Sequence, residues 1–327
     1  MTRFAVFLYL TIAFLTACTP QGANTEPVTL TRYDRDLQAF LQTADTIDEQ
    51  AFLTRHHTFH PLYVSGILQI RPVDTTTRNA IAQRFSRPDM QRLLQGVDSS
   101  FAHTEDIEQQ LGKAFSLYRR FLPGDMLPRQ IYTHVSGLQQ QIINLDTLLS
   151  VSLDHYLGAQ FPLYRSIFNP YQLQHKSREY IVPDILRVIL YTRHPMTTDT
   201  QVSLLQEMIY EGKIIYSQQR LLPDTPVEKL LGYSEKEWQW CRNNESNMWE
   251  RLLQSRALYT TDRFLIGKYI SPAPFTAPFT QQSPGQAARY IGWRIVSEYM
   301  KQSGATLTDL WKNNDELNIL KTAKYKG

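Results

Sequence analysis

Three histidines crowd the run His56-His57-Thr58-Phe59-His60. His56 and His60, four apart, would share one face of a helix, the spacing that metallopeptidases use in H-E-x-x-H with the glutamate as general base. Here His57 stands where that glutamate is required and Pro61 follows at once, so a polar helix terminus is the plainer reading. A second set lies in Glu207-Met208-Ile209-Tyr210-Glu211-Gly212-Lys213, whose two carboxylates, four apart, are spaced to point into one cleft as an acid pair. The same spacing is common on solvated helix faces. His194, which precedes Pro195 in an expected loop, is the one histidine near enough upstream to assist. No G-x-S-x-G nucleophile elbow, phosphate loop or C-x-x-C occurs. The residues therefore point to binding: Glu207, Tyr210, Glu211 and Lys213 form a candidate cleft, with no catalytic residue, metal or cofactor assigned.

Aromatic side chains supply the other candidate surface. Tyr233, Trp238, Trp240, Trp249, Tyr259, Phe264, Tyr269, Phe275, Phe279, Tyr290, Trp293 and Tyr299 crowd the stretch 233–299, and most should pack in a core. Phe275 and Phe279 differ because they sit in the stretch 271–279 with Pro272, Pro274 and Pro278, which forbid regular helix. Such a loop is expected not to bury itself easily, which makes these two residues the candidate partner loop.

The elements that must position these groups read as a single α+β domain, predominantly helical, with a small β-sheet around 130–152. Apolar residues three and four apart predict helices over 31–44, 46–56, 76–96 and 104–120. Ile131, Tyr132 and Val135, then Ile142, Ile143, Leu148, Leu149 and Val151, predict a small sheet or hairpin broken at Ser136-Gly137. Helices return from Pro183 to Tyr191 and from Thr198 to Gln219. Ser234 followed by Glu237 has capping-box spacing and should open the best-formed helix of the chain, through Leu253. Ser283-Pro284-Gly285-Gln286 predicts a second start, stopped at Ser303-Gly304.

The first residues decide where the domain works. Met1-Thr2-Arg3 gives a positive start, Phe4 to Ala17 is apolar and uncharged, and Leu15-Thr16-Ala17-Cys18 forms a lipobox. The apolar run is shorter than the ~20 residues of a membrane span. Residues 1–17 thus read as a signal peptide, with Cys18 carrying a covalent lipid, 18–30 as a Pro- and Gly-containing flexible tether, and 31–327 as the soluble domain. Stable anchoring needs more than one acyl chain, which a multiply acylated cysteine provides. Loss of Arg3 leaves 33 basic against 31 acidic residues, and the basic ones are spread out, so no nucleic-acid partner is expected. Once Cys18 is lipidated, Cys241 has no partner within the chain, and no disulfide framework is expected.

Several stretches resemble, in order, the gliding-motility lipoprotein GldB family of Bacteroidota. They are the lipobox at Cys18, Arg32-Tyr33-Asp34, Leu153-Asp154-His155-Tyr156-Leu157-Gly158, the segment from Glu207 to Lys213 with Tyr216, Gly232-Tyr233-Ser234, and Trp240-Cys241-Arg242-Asn243-Asn244-Glu245. Ala273-Pro274-Phe275, Ser283-Pro284-Gly285, Ile291-Gly292-Trp293-Arg294-Ile295-Val296 and Lys324-Tyr325-Lys326 complete the set. The resemblance implies a periplasm-facing envelope lipoprotein, held in the membrane by Cys18, with protein partners among gliding-motility and secretion components. Thr19 stands where an aspartate can signal inner-membrane retention, which favours the outer membrane over the inner, and no acidic run follows Cys18, which argues against display on the cell exterior. A more distant likeness is to the back half of zinc peptidases, in which an H-E-x-x-H helix precedes a Glu-Gly segment. The corresponding helix here, Ile181 to Tyr191, contains no histidine, so Glu211 alone cannot complete a zinc site and a metal-free zincin-like scaffold is implied. Two rivals to a motility scaffold remain: a divergent zincin-like hydrolase of envelope peptides or glycans, and a general envelope stability protein.

Overall fold

A computed structural model describes residues 27–43, 45–71, 76–196 and 201–327. Cys18, the signal peptide and most of the expected tether lie outside the described residues. Leu30, the last residue of the expected tether, is already part of a strand. Strand β1 (Leu30–Thr31) pairs in parallel with a strand a hundred residues later, and the Leu30 N–H donates to Glu108 Oε1 at 2.7 Å.

The amino-terminal half is a cap of helices: α1 (Tyr33–Gln42), α2 (Thr46–Arg55), the short α3 (Phe59–Leu62) running into a π-turn, α4 (Thr76–Phe85), α5 (Pro88–Ser100) and α6 (Glu105–Phe121). The expected unbroken helix over 76–96 is two helices, because Pro88 opens α5 and forces Arg87 into an extended conformation (φ −65°, ψ 141°). Next come β2 (Gln130–His134), β3 (Ile142–Asn144) and β4 (Leu148–Ser152). The sheet order is β1-β2-β4-β3, with β2 parallel to both β1 and β4 and β3 antiparallel to β4. The small sheet falls where the apolar pattern placed it. All five β4 residues are buried, as for a strand covered on both faces.

The remaining elements are α7 (Pro170–Leu173), α8 (Ile181–Arg193), α9 (Leu204–Leu221), α10 (Val227–Leu231), α11 (Glu235–Asn243), α12 (Glu245–Gln254), α13 (Arg263–Ile270), α14 (Ala287–Ser303), α15 (Leu307–Lys312) and α16 (Glu316–Ala323). The capping box at Ser234 and Glu237 forms, yet the helix it opens ends at Asn243 and restarts at Glu245. Asn244 (φ −116°, ψ 13°) leaves helical geometry, and its side-chain amide donates to Trp240 O at 2.8 Å, a local bond that competes with the helix ladder. The second start is displaced as well. Gln286 is left-handed (φ 59°), so α14 begins at Ala287, whose N–H donates to Thr276 Oγ1 at 2.9 Å instead of to Ser283.

Helices α9 and α14 form the centre of the core. A Cβ on Gly292 would lie 1.8 Å from Met208 O, and one on Gly212 would lie 2.3 Å from Gly292 O. The two backbones touch at this crossing, which only glycine permits. Buried residues lie on every face of α14, from Ala287 to Met300, the mark of a helix enclosed by neighbours.

Candidate functional site

The crossing of α9 with its neighbours separates the four residues expected to share a cleft. Glu207, one turn into α9, pairs with the Arg263 guanidinium on α13. Glu211, one turn further, lies between α8 and α14. Its Oε2 is 2.9 Å from Arg289 Nε and 3.7 Å from Arg187 Nη1, and the Tyr191 hydroxyl donates to Oε1. Burial pushes the Glu211 carboxyl up, but Arg289 and Arg187 outweigh it and hold the group below its ordinary value. The two carboxylates are therefore two separate ion pairs, not an acid pair. Where the distant peptidase resemblance would need histidines on the helix before Glu211, α8 presents Arg187, with Asp184 one turn earlier. Two guanidiniums bring to Glu211 the positive charge a metal would bring. Among the described residues, no cluster of three or more His, Cys, Asp or Glu is placed to hold a metal ion.

Tyr210 and Lys213 do line a common pocket of about 240 Å³, together with Met196, Ile209, Trp311 and Glu316. The Tyr210 hydroxyl donates to His194 O at 2.8 Å, and the His194 ring stacks on Trp311 at 4.3 Å with its Nε2 2.7 Å from Asp125 Oδ2. Lys213 Nζ donates to Asn313 O at 2.7 Å and lies 5.7 Å from the Trp311 ring centre. Burial draws the Lys213 pKa down to about 8, against a partial opposing pull from Glu316. The ammonium on an aromatic wall suits an acidic or carbonyl group of a partner. Trp311 was missed in the sequence because it lies nearly a hundred residues from Lys213.

The histidine run does not converge either. His56 Nε2 meets Asp36 Oδ2 at 2.8 Å, His60 Nδ1 meets the Tyr33 hydroxyl at 2.7 Å, and His57 is exposed. Helix α2 ends at Arg55, and although the His60 N–H donates to His56 O at 2.8 Å and both rings pack on Tyr33 and Phe52, the two rings bond to different partners.

The proline-rich loop buries part of itself, contrary to expectation. Phe279 packs edge-on against Tyr269 at 5.4 Å and is buried, whereas Phe275 is half-buried. The prolines leave few donors to satisfy. The buried Thr276 hydroxyl donates to Pro284 O at 2.8 Å, and the Ser283 hydroxyl accepts from Thr276 N at 3.0 Å.

That loop walls a second pocket of about 240 Å³ that sequence reading did not find. Gln141, Lys176, Asp184, Tyr233, Pro272 and Gln286 meet there from six separate segments. Burial raises the Asp184 carboxyl against the pull of Arg187, and its Oδ2 accepts from Tyr156 Oη at 2.9 Å and Gln141 Nε2 at 2.8 Å. The available signal was the run from Leu153 to Gly158, whose Tyr156 and His155 stand behind the pocket.

Among the described residues no helix is long and apolar enough to cross a membrane. No curated protein and no solved structure matches the chain. Residues 18–327 match the family described as gliding motility protein GldB, and the chain belongs to that family.

Proposed function

From this membership of the gliding motility protein GldB family, we propose that the chain is a lipid-anchored, non-catalytic binding protein of the gliding machinery. Cys18 holds it in an envelope membrane, the outer in preference to the inner, with the domain facing the periplasm. There it supports assembly or stability of the motility and secretion apparatus. The observation that carries this reading is the pairing of Glu207 with Arg263 and of Glu211 with Arg187 and Arg289. Glu211, held below its ordinary value by Arg289 and Arg187, is a poor general acid, and Glu207, which burial raises, is engaged by Arg263. Meanwhile the pocket at Tyr210, Lys213 and Trp311 stays open to a partner. No cofactor beyond the lipid is required.

The runner-up, a hydrolase of envelope peptides or glycans, draws on Asp184, a carboxyl with a raised pKa that lines the second pocket. Complementation of a deletion strain separates the two. Asp184→Asn keeps the shape of the side chain and removes its proton transfer, and gliding should persist as long as the protein accumulates. Lys213→Glu with Trp311→Ala should abolish gliding at normal protein levels. Loss of gliding in Asp184→Asn with the double variant unaffected would favour the hydrolase.

A further inference from the structure

The second pocket holds a charge that the protein itself does not match. Lys176 is buried at 7% exposure and lines the cavity. Its Nζ contacts Gln141 Oε1 at 3.2 Å, His155 Nδ1 at 3.3 Å and the face of Phe168 at 4.5 Å, all of them neutral. Among the described residues, no carboxylate lies within 4 Å of it. Because an ammonium only donates, His155 Nδ1 must accept, which places the ring proton on Nε2, a buried atom without a partner. Burial draws the Lys176 pKa down, with Asp184 and Asp154 opposing from a distance.

The surroundings are positive too. Burial, with Arg289 and Arg187, holds the His175 ring in the pocket wall at about 4 against an opposing pull from Glu237, hence neutral at pH 7. Lys176, Arg187 and Arg289 share this region with the carboxylates of Asp154, Asp184 and Glu211, but Glu211 is taken up by the two guanidiniums and neither aspartate is in ion-pair contact with Lys176. Glu237, at the rim, has its Oε2 occupied by the Ser234 N–H at 2.8 Å and the Ser234 hydroxyl at 2.7 Å. Arg289 Nη2 is a buried donor without a hydrogen-bond partner. A buried charge of this kind is unfavourable unless something pairs with it.

The rest of the wall indicates what that something is. Gln141 and Gln286 are bonded within the protein at both ends of their carboxamides, whereas Gln172 keeps its Nε2 donor and Gln174 its Oε1 acceptor, one of each for the C=O and N–H of a peptide bond. Tyr171, Tyr233 and Pro272 supply apolar faces. The volume falls below the ~300–1,000 Å³ of drug-sized sites, which suits a ligand of dipeptide size. The shape is built in: a Cβ on Gly232 (φ 77°) would lie 2.0 Å from His175 Cε1, and one on Gly285 would lie 1.9 Å from Ala273 O.

We propose that this pocket binds a short peptide-like ligand with a free carboxylate, and that Lys176 is the partner of that carboxylate. The site uses neither Tyr210, Lys213 nor Trp311 and does not depend on the reading above. The test is calorimetry and thermal melting of the full-length, detergent-solubilised protein with N-acetyl-alanyl-alanine, its carboxamide and inorganic phosphate. The free acid should bind and raise Tm, and the carboxamide should bind about tenfold more weakly or worse. Lys176→Met should abolish binding of the acid while leaving Tm of the free protein unchanged or higher, because it removes a buried ammonium without a counter-ion. A purely structural lysine would instead lower Tm when replaced. Should that variant not accumulate, Gln172→Glu, which keeps the acceptor that caps α7, must weaken the acid and spare the carboxamide. Equal binding of acid and carboxamide, no binding of either, or binding of phosphate alone would overturn the proposal.

Discussion

Glu211 shows how far a side chain's neighbours decide what it can do. Removing Arg289 leaves this buried carboxylate with one distant guanidinium, so Arg289→Met should lower unfolding stability by about 3–5 kcal/mol in urea titration. Titration supplies a second expectation. Burial holds His134 and His175 at about 4 and His155 at about 3, whereas the ordinary value is 6.5. Between those values the unfolded chain binds protons that the folded chain does not, so this stability is present above about pH 6.5 and lost as pH falls toward 4. Each such histidine contributes a slope of up to about 1.4 kcal/mol per pH unit in the window. The slope should be measurably shallower in His155→Gln, and an unchanged slope would remove His155 from the account. Tyr210 and Lys213 were legible because helical spacing puts them on one side of α9. The partners of Glu211 were not, because Arg187 and Arg289 come from helices that meet α9 only in the folded chain.

Among the elements, the α9–α14 crossing is the tightest joint of the core, and α9 carries one wall of the pocket at Tyr210 and Lys213. Gly292→Ala would drive a methyl group into the Met208 carbonyl, a backbone atom that cannot turn aside, and should cost about 3 kcal/mol or more in stability. The proline-rich loop gives a paired test. Phe279→Ala should destabilise by about 3–4 kcal/mol, as for an emptied aromatic core site, while Phe275→Ala should cost about 1 kcal/mol by the same denaturation measurement. Loss of binding in Phe279→Ala would then report misfolding of the loop, and Phe275 remains the residue with which to test contact. Helix positions and the sheet around 130–152 were readable from apolar spacing, which is a local property. The breaks at Arg87, Asn244 and Gln286 depend on single backbone conformations that periodicity does not record. The pairing of Leu30 with Ile131 is remote in the chain and leaves no local trace.

As a whole molecule, the chain is a predominantly helical domain of the gliding motility protein GldB family in which Glu207 and Glu211 are committed to ion pairs and two pockets are each lined by a buried lysine. Near neutrality in net charge, with 33 basic and 31 acidic residues in 18–327, gives little long-range steering toward a charged surface. Under the proposed function, attachment rests on the lipid at Cys18 and specificity on the pockets. The most direct test of a binding role is a cross-linked pull-down of the tagged, lipidated protein from its native envelope, scored by mass spectrometry against an unrelated lipoprotein with the same tag. The account expects enrichment of motility and secretion subunits, reduced by Lys213→Glu with Trp311→Ala at equal protein level. Recovery of nothing beyond the control would contradict it.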